Sequence, residues 1–493
     1  MKQIFNIIIL TLTLALSACN EWLDINPALE IREEESFSTE QGFQDLLVGA
    51  YIRMASSSLY GLNTTVVLPE MITQHWTVRA GTSNELLTSL TGFDYTSSVS
   101  KSLLETTWLA YYKTISNLNS LLAHIDEKKA LFTDGNYELI KGEAIGLRAF
   151  LHLEILRFWS PVTSQINLDD KAIPYVKTVT KDPNELLTRT YREVLDNIIN
   201  ELDQAEALLA DDPILTYTNT QLNAPGTLQG SDLTINDFHY FRQVRFNYYA
   251  VKAAKARYYL FINNINGIGD TKSLAARYAL EVIEAQNSDG SLKFTLGNES
   301  EAGYGRLTFP TEHVFAVNNS LATTTLKAAF FEYTTAFTQD KTKLATAYES
   351  ALHPLDIRYR DQRLWENKTI PLVGDFNYFR KFNDTETTAE ADMPLMRLSE
   401  MYFIAVECGR PDLFRTFRIA RNMDSSIDDT LIDEDAIKER LEKEYRKEFY
   451  GEGQMYFFYK RLNYTKFTWP AALSFSWENL LLPLPDSQLL FEI

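Results

Sequence analysis

An aromatic ring can stack on the apolar face of a small ligand while Arg, Asn and Asp side chains hydrogen-bond the ligand's polar rim. Only rings left uncovered by a core can do this, so aromatics on polar loops are the ones to seek. Three such groups stand out. His75-Trp76 with Arg79 and Asn84, followed by Asp94 and Tyr95, lie in a stretch rich in Ser, Thr and Gly between residues 60 and 100. Tyr304 and Arg306 lie in the glycine-rich GYGR of a second such stretch, residues 286–325. The competing reading is that Trp76 and Tyr95 simply cover the edge of the core. Most other aromatics, such as Phe158, Tyr258 and Phe449, fall on helical stripes and read as packing.

Catalytic spacing is not legible. Glycoside hydrolysis needs two carboxylates a set distance apart, but among 66 Asp and Glu, pairs arise everywhere by chance. The 6 His show no H-E-x-x-H or other ligand spacing, and neither G-x-S-x-G nor a phosphate-cradling glycine loop occurs. We therefore expect no enzyme and no cofactor. The run DSSIDDTLIDED, with Asp424, Asp428, Asp429, Asp433 and Asp435, is a calcium candidate, but it lacks the central glycine of the twelve-residue calcium loop. It reads better as an acidic connector capping a helix that starts near Ala436.

The elements that must position these groups are mostly helical. Tyr191, Leu195, Ile198, Leu202, Ala205 and Leu208 recur at spacings of three and four, and Asp211-Asp212-Pro213 ends that helix. Val244, Tyr248, Val251, Ala254, Tyr258 and Phe261 repeat the pattern, with Arg245, Lys252 and Lys255 expected on a solvated flank. In KGEAIGLRAFLHLEILRFWSP, one apolar stripe runs through Ala144, Leu147, Leu151, Ile155 and Phe158 and a second through Ile145, Ala149, Leu153 and Leu156. A helix apolar on two sides must be sandwiched, and Gly146 permits close approach. Ala149, Leu153, Leu156 and Pro161 sit at the offsets of a tetratricopeptide second helix, although no clean 34-residue period emerges. Irregular stacked helix pairs are the predicted architecture, with a polar, turn-rich insertion at 211–236.

A net charge of −19 argues against nucleic acid and against broad contact with anionic lipid. At 45% hydrophobic, the chain has material for a large core, and its 26 Tyr and 29 Phe serve either that core or a stacking surface. The first residues read differently. Lys2, then a mostly apolar run from Ile4 to Leu16, is too short to span a bilayer, which takes about 20 residues. It has the shape of a secretory signal peptide. Leu16-Ser17-Ala18-Cys19 resembles the bacterial lipobox, so residues 1–18 are expected to be removed and Cys19 to be acylated, for example with palmitate. Two or three acyl chains, at about 0.8 kcal/mol per buried methylene, tether a protein stably without crossing the membrane. With Cys19 so used, Cys408 stands alone and no intramolecular disulfide is expected.

From Cys19 onward, motifs appear in an order that resembles the SusD/RagB outer-membrane lipoproteins of Bacteroidetes. SACNEWLDINP is similar to the family's lipidated leader. Trp108, Tyr112, Ile115 and Asn119 resemble its W-x-x-x-Y-x-x-I-x-x-x-N helix, and KGEAIGLRAFLHLEILRFW its GEA-x-x-LRA segment, with AIPYV following. MPLMRLSEMYFIAVEC carries Pro394, Arg397, Glu400, Tyr402 and Glu407, and EYRKEFYGEGQMYFFYKR carries Arg446, Glu448, Phe449, Glu452, Gly453, Lys460 and Arg461. LLPLPDSQL resembles the terminal motif. Met455 and Phe458 depart together from the usual Arg and Asp, which reads as a compensated packing change. The asparagine-arginine turn is poorly matched, GRPDLFRTFRIARNMDSS keeping little beyond Arg421.

The resemblance implies an all-α fold of tetratricopeptide-like pairs with long loops and little β structure. It implies one body over 19–493, with an N-terminal half (19–226) and a C-terminal half (227–493). It further implies a lipid-anchored protein of the outer membrane, facing the exterior, that captures a nutrient, often an oligosaccharide, for a SusC-like TonB-dependent transporter. Family platforms built from early loops and a mid-chain insertion favour Trp76, Arg79, Asn84, Asp94, Tyr95, Tyr304 and Arg306 as ligand residues. The alternative function is a tetratricopeptide-like peptide-binding scaffold without a glycan.

Overall fold

The computed structural model describes residues 36–78, 83–225, 235–319, 325–326, 329–330, 337–370, 374–382, 392–423 and 433–492. Helices begin where the sequence supplies a cap. The Thr39 hydroxyl opens α1 (Glu40–Met54), Pro69 sits in the first turn of α2 (Leu68–Ile72), Asn84 opens α3 (Glu85–Thr91) and Ser97 opens α4 (Ser98–Ile125). Helix α5 (Asn136–Trp159) starts from Gly135, whose φ of 78° suits a residue without a Cβ. Thr190 and Glu193 form a reciprocal capping box at the start of α6 (Tyr191–Leu208). Then come α7 (Tyr248–Ile262), α8 (Lys272–Ile283), α9 (Glu299–Gly303), α10 (Leu398–Glu407), α11 (Asp412–Ala420), α12 (Glu434–Glu448) and α13 (Gln454–Arg461). Asp433 caps α12, accepting from Ala436 N at 2.8 Å, so the helix begins two residues before the point its sequence suggested.

The long helices pack serially: α1 on α4, α4 on α5, α5 on α6, α6 on α7, α7 on α8 and α8 on α10. The mostly-α, helix-pair architecture is the one the periodicity predicts. Helix α5 is sandwiched as its two stripes require, with every residue from Leu139 to Trp159 buried except Lys141. A Cβ at Gly146 would lie 2.5 Å from the Phe246 ring and 3.2 Å from the Ala205 Cβ. Alanine favours a helix over glycine by about 1 kcal/mol, but overpacking a core costs about 1–3 kcal/mol. Gly146→Ala is therefore expected to lower the thermal denaturation midpoint; a raised midpoint would show that Phe246 can move aside.

Short strands are few, forming four antiparallel pairs among the described residues. They are β1 (Thr77–Val78) with β3 (Phe337–Thr338), β2 (His313–Asn318) with β6 (Asp392–Arg397), β4 (Trp365–Ile370) with β5 (Gly374–Phe379), and β7 (Lys466–Phe467) with β8 (Leu473–Ser474). Among the described residues no helix is long and apolar enough to cross a membrane. The 60–100 stretch is less loop-like than its composition: its Ser, Thr and Asn residues act as caps, and a π-turn at Asn63–Val67 runs into α2. The basic flank of α7 is not solvated. Lys255 is 2% exposed and its ammonium bridges Asp203 and Glu206, while Lys252 binds Glu206 and Glu281 at 2.6 and 2.7 Å. Acidic partners on α6 and α8 close over these lysines.

The polar residues of the motifs face inward too, as paired charges. Arg148 of α5 holds Glu201 through two hydrogen bonds of 3.1 and 2.7 Å and donates to Asn119 of α4. Glu143 accepts from Tyr51, Arg242 and Arg245. Arg257 holds Glu400 at 2.7 Å. The largest cluster joins Arg397 to Glu312, Glu448 and Glu452, Arg421 to Glu312 and Glu448 at 2.6 Å each, and Arg358 to Asp356, Glu444 and Glu448. Burial raises the Glu448 carboxyl, but Arg421 and Arg397 overcome it and hold the group well below the usual carboxylate range. These motif residues form a buried structural network. Met455 and Phe458 are fully buried, as a packing change requires.

Candidate functional site

A cleft of about 590 Å³ opens between the turn at 241–244, the loop at 306–310, the end of β2 and the start of β6. That volume lies within the roughly 300–1,000 Å³ range of small-ligand sites. Its aromatic wall is Phe241, whose ring is 46% exposed. Phe241 has φ 58° and ψ 41°, a left-handed conformation that costs a bulky residue on the order of 1–3 kcal/mol and tends to mark a functional position. Its N–H donates to Leu222 O at 2.8 Å, which fixes the turn. Below it the buried Gln243 amide donates to His313 O at 2.8 Å and accepts from Asn223 at 2.9 Å, tying three segments together.

The opposite wall is polar. Arg306 lines it from the loop. Asn318 donates to Asp392 at 2.9 Å across the β2–β6 register, and burial raises the Asp392 carboxyl above its ordinary range, the Asn318 bond opposing it. His313 is buried and desolvation lowers its pKa to about 3, so the ring is neutral and its Nε2 carries the proton donated to Thr308 O at 3.2 Å. Among the described residues the cleft thus offers one ring face, one guanidinium, three amides and one carboxylate.

Of the residues the sequence singled out, Arg306 lines this cleft. Tyr304 stands two positions earlier on the same loop and is 76% exposed. The first two groups are not brought here, and their aromatic members correct the expectation that they serve as platforms. Trp76 is 1% exposed. Its indole N–H donates to Val66 O at 2.8 Å, and Trp365, Phe379 and Tyr450 stand 5.8, 5.3 and 5.0 Å from it, ring centre to ring centre. His75 is buried beside it. Tyr95 is also buried, its hydroxyl donating to Asn479 O at 2.6 Å. Asn84 is spent as the α3 cap, accepting from Leu87 N at 2.9 Å. Asp94 closes a turn by accepting from Thr96 and Ser97, and the Thr96 bonds lower its pKa. Arg79 and Cys19 lie outside the described residues, as do Asp424, Asp428 and Asp429 of the acidic run. Among the described residues no cluster of three or more His, Cys, Asp or Glu is placed to hold a metal.

Phe241, Asn223, Asn318 and Asp392 were not legible as a site. A left-handed Phe in FHYFRQV carries no sequence mark, and Asn318 meets Asp392 only through strand pairing.

Residues 21–229 match the SusD-like_3 family model, described as "Starch-binding associating with outer membrane". No curated protein sequence matches the chain. Among solved structures, a SusD superfamily protein from Bacteroides thetaiotaomicron shares 17% identity over 92% of this chain and 97% of its own, with a TM-score of 0.67. A SusD-like carbohydrate binding protein from Bacteroides vulgatus shares 18% identity over 92% and 96%, with a TM-score of 0.66. A second SusD superfamily protein from Bacteroides vulgatus gives 17%, 92% and 97%, and a TM-score of 0.63. Residues 21–229 thus resemble the SusD-like_3 family, and over the rest of the chain the likeness to these solved structures shows a SusD-like fold.

Proposed function

We propose that this chain binds an oligosaccharide in the cleft between Phe241 and Arg306 and passes it, unmodified, to a SusC-like TonB-dependent transporter of the outer membrane. The observation that carries the reading is the convergence of the exposed Phe241 ring with Arg306, Asn223, Asn318 and Asp392 around one cavity. Phe241 stacks on a sugar face, Arg306 and the two amides donate to hydroxyls, and Asp392 accepts. Tyr304, reaching beyond the rim, extends the platform by one ring. The family's description and the likeness to a carbohydrate-binding neighbour support the ligand class. Cys19, resembling a lipobox cysteine, supplies the tether to the outer membrane, with the body on the exterior face.

A glycan array followed by titration calorimetry tests the site. Phe241→Ala is expected to weaken the best array ligand at least tenfold, about 1.4 kcal/mol. The thermal midpoint should not fall, since the ring is half-exposed and packs little. Wild-type affinity in that variant would remove the cleft from consideration. Reducing ends appearing during incubation would show turnover and overturn the pure-binding reading. For the anchor, Cys19→Ser is expected to move the protein from the membrane fraction to the soluble fraction of cells. Retention in the membrane fraction would mean that another contact holds it there.

A further inference from the structure

We infer that Glu301 is the positioning residue of this cleft, a buried carboxylate that closes the loop carrying Arg306 into its binding conformation. The inference rests on the cleft reading above and adds the device that shapes it. Glu301 lies in α9 and is 8% exposed. One carboxylate oxygen accepts from Thr311 N at 3.1 Å and the other from Thr311 Oγ1 at 2.8 Å, so the two ends of the loop between them are joined. The backbone carbonyl of the same residue accepts from Arg306 N at 3.1 Å and Tyr304 N at 3.2 Å. A single residue therefore closes the loop and orients the backbone of both exposed side chains.

Each end of the loop is separately fixed to the body. Asn298 caps α9 by accepting from Ser300 N and Glu301 N at 2.9 and 3.3 Å. Glu299 accepts from Arg360 and Arg363 at 2.5 and 2.6 Å and from Asn422 at 3.0 Å. At the far end, Glu312 accepts from Gly297 N, Arg421 and Arg397, inside the buried network. The Gly297–Glu312 bond and a Thr295 N bond to Thr311 O at 3.2 Å join the same two sides farther out, and the Glu301–Thr311 pair is the innermost of these closures, next to the segment that carries Arg306. Holding a binding group in place before the ligand arrives lowers the ordering cost of association, which is how a residue out of contact with the ligand sets affinity. The Glu301 side chain is not part of the cleft lining, and the residue meets that lining only through its backbone bond to Arg306 N.

Two measurements on the full chain test this. In the first, which needs no ligand, trypsin cleavage after Arg306 is followed with the thermal midpoint as control. Glu301→Ala is expected to speed cleavage at least tenfold with the midpoint nearly unchanged. Glu301→Gln, which keeps an acceptor for Thr311 N, should stay within about threefold of wild type. Thr311→Val, a milder cut at the same neck, should fall between them. In the second, binding is titrated with maltoheptaose, or with the tightest array oligosaccharide if that is different. Glu301→Ala should weaken binding about tenfold, and Arg306→Ala should add little on top of it, because a displaced guanidinium has nothing left to lose. Full additivity of the two, or a cleavage rate unchanged in Glu301→Ala, overturns the positioning role while leaving the cleft standing. An Arg306→Ala variant with wild-type affinity, or an array without a binder, overturns the cleft reading and this inference with it.

Discussion

Replacing Glu448 with alanine is expected to leave the protein unable to hold its fold at 37 °C. Glu448 sits fully buried at the end of α12 and accepts from Arg358 at 3.1 Å, from Arg397 at 2.8 Å and from Arg421 at 2.6 and 3.0 Å. Removing it leaves three guanidinium groups in a low-dielectric interior with one negative charge fewer among them. Breaking a buried pair on one side costs about 3–5 kcal/mol, and here three cations share the loss. A domain's whole stability is roughly 5–15 kcal/mol. The check is the soluble yield and the denaturation midpoint in urea; a midpoint within error of wild type would mean the network is dispensable. The same group makes the fold sensitive to acid. Its carboxyl and that of Glu444, which Lys447 and Arg358 hold at about 2 against the effect of burial, stay ionised in the folded state. Their depressed values stabilise the fold above the unfolded carboxylate range and cease to do so as pH falls from about 4.5 toward 2.

Glu70 produces the opposite slope. It is buried against the Gly451–Gly453 turn, where one oxygen accepts from Gly453 N at 3.1 Å. The other oxygen has no hydrogen-bond partner among the described residues. Desolvation raises its carboxyl from 4.5 to about 8, the Gly451 and Gly453 amides and Lys381 opposing and Glu452 adding to it. The folded chain therefore keeps a proton that the unfolded chain releases. The resulting contribution is fully present below about pH 4.5 and disappears as pH rises through 8. Glu70→Gln keeps an acceptor for Gly453 and removes the charge. At pH 9 it is expected to stabilise the protein by up to about 4 kcal/mol relative to wild type, shrinking toward zero at pH 4. Urea denaturation at pH 5, 7 and 9 decides the matter; a constant difference between the two proteins across that range would rule out titration of Glu70.

These two carboxylates show where reading the chain alone succeeds. Glu448 was recognisable as a motif position because its neighbours Arg446, Phe449, Glu452 and Gly453 keep their local order. Its partners are scattered from Arg358 to Arg421, so the network itself was not. Helix α6 was legible to within a residue, since its stripe and its terminating Pro213 are both local signals. The burial of α5 on two sides followed from its two stripes. Trp76 misled for the complementary reason. Its immediate neighbours are polar, and what covers it arrives from Trp365, Phe379 and Tyr450, hundreds of positions away along the chain. Lys252 and Lys255 misled in the same way, because their counter-charges stand on α6 and α8. The cleft was half-legible: Tyr304 and Arg306 announce themselves in a glycine-rich loop, whereas Asp392 needs the β2–β6 register to reach Asn318.

The anchoring of the 301–311 loop has an evolutionary consequence. Its two ends are bolted to the body through Glu299, Glu301 and Glu312, while Gly303, Tyr304, Gly305 and Arg306 between them are not buried in the core. Such a segment behaves as a cartridge. Its interior can be exchanged, lengthened or recharged at little risk to the surrounding helices, so a new preference for cargo can be acquired by drift within a few codons while the body stays fixed.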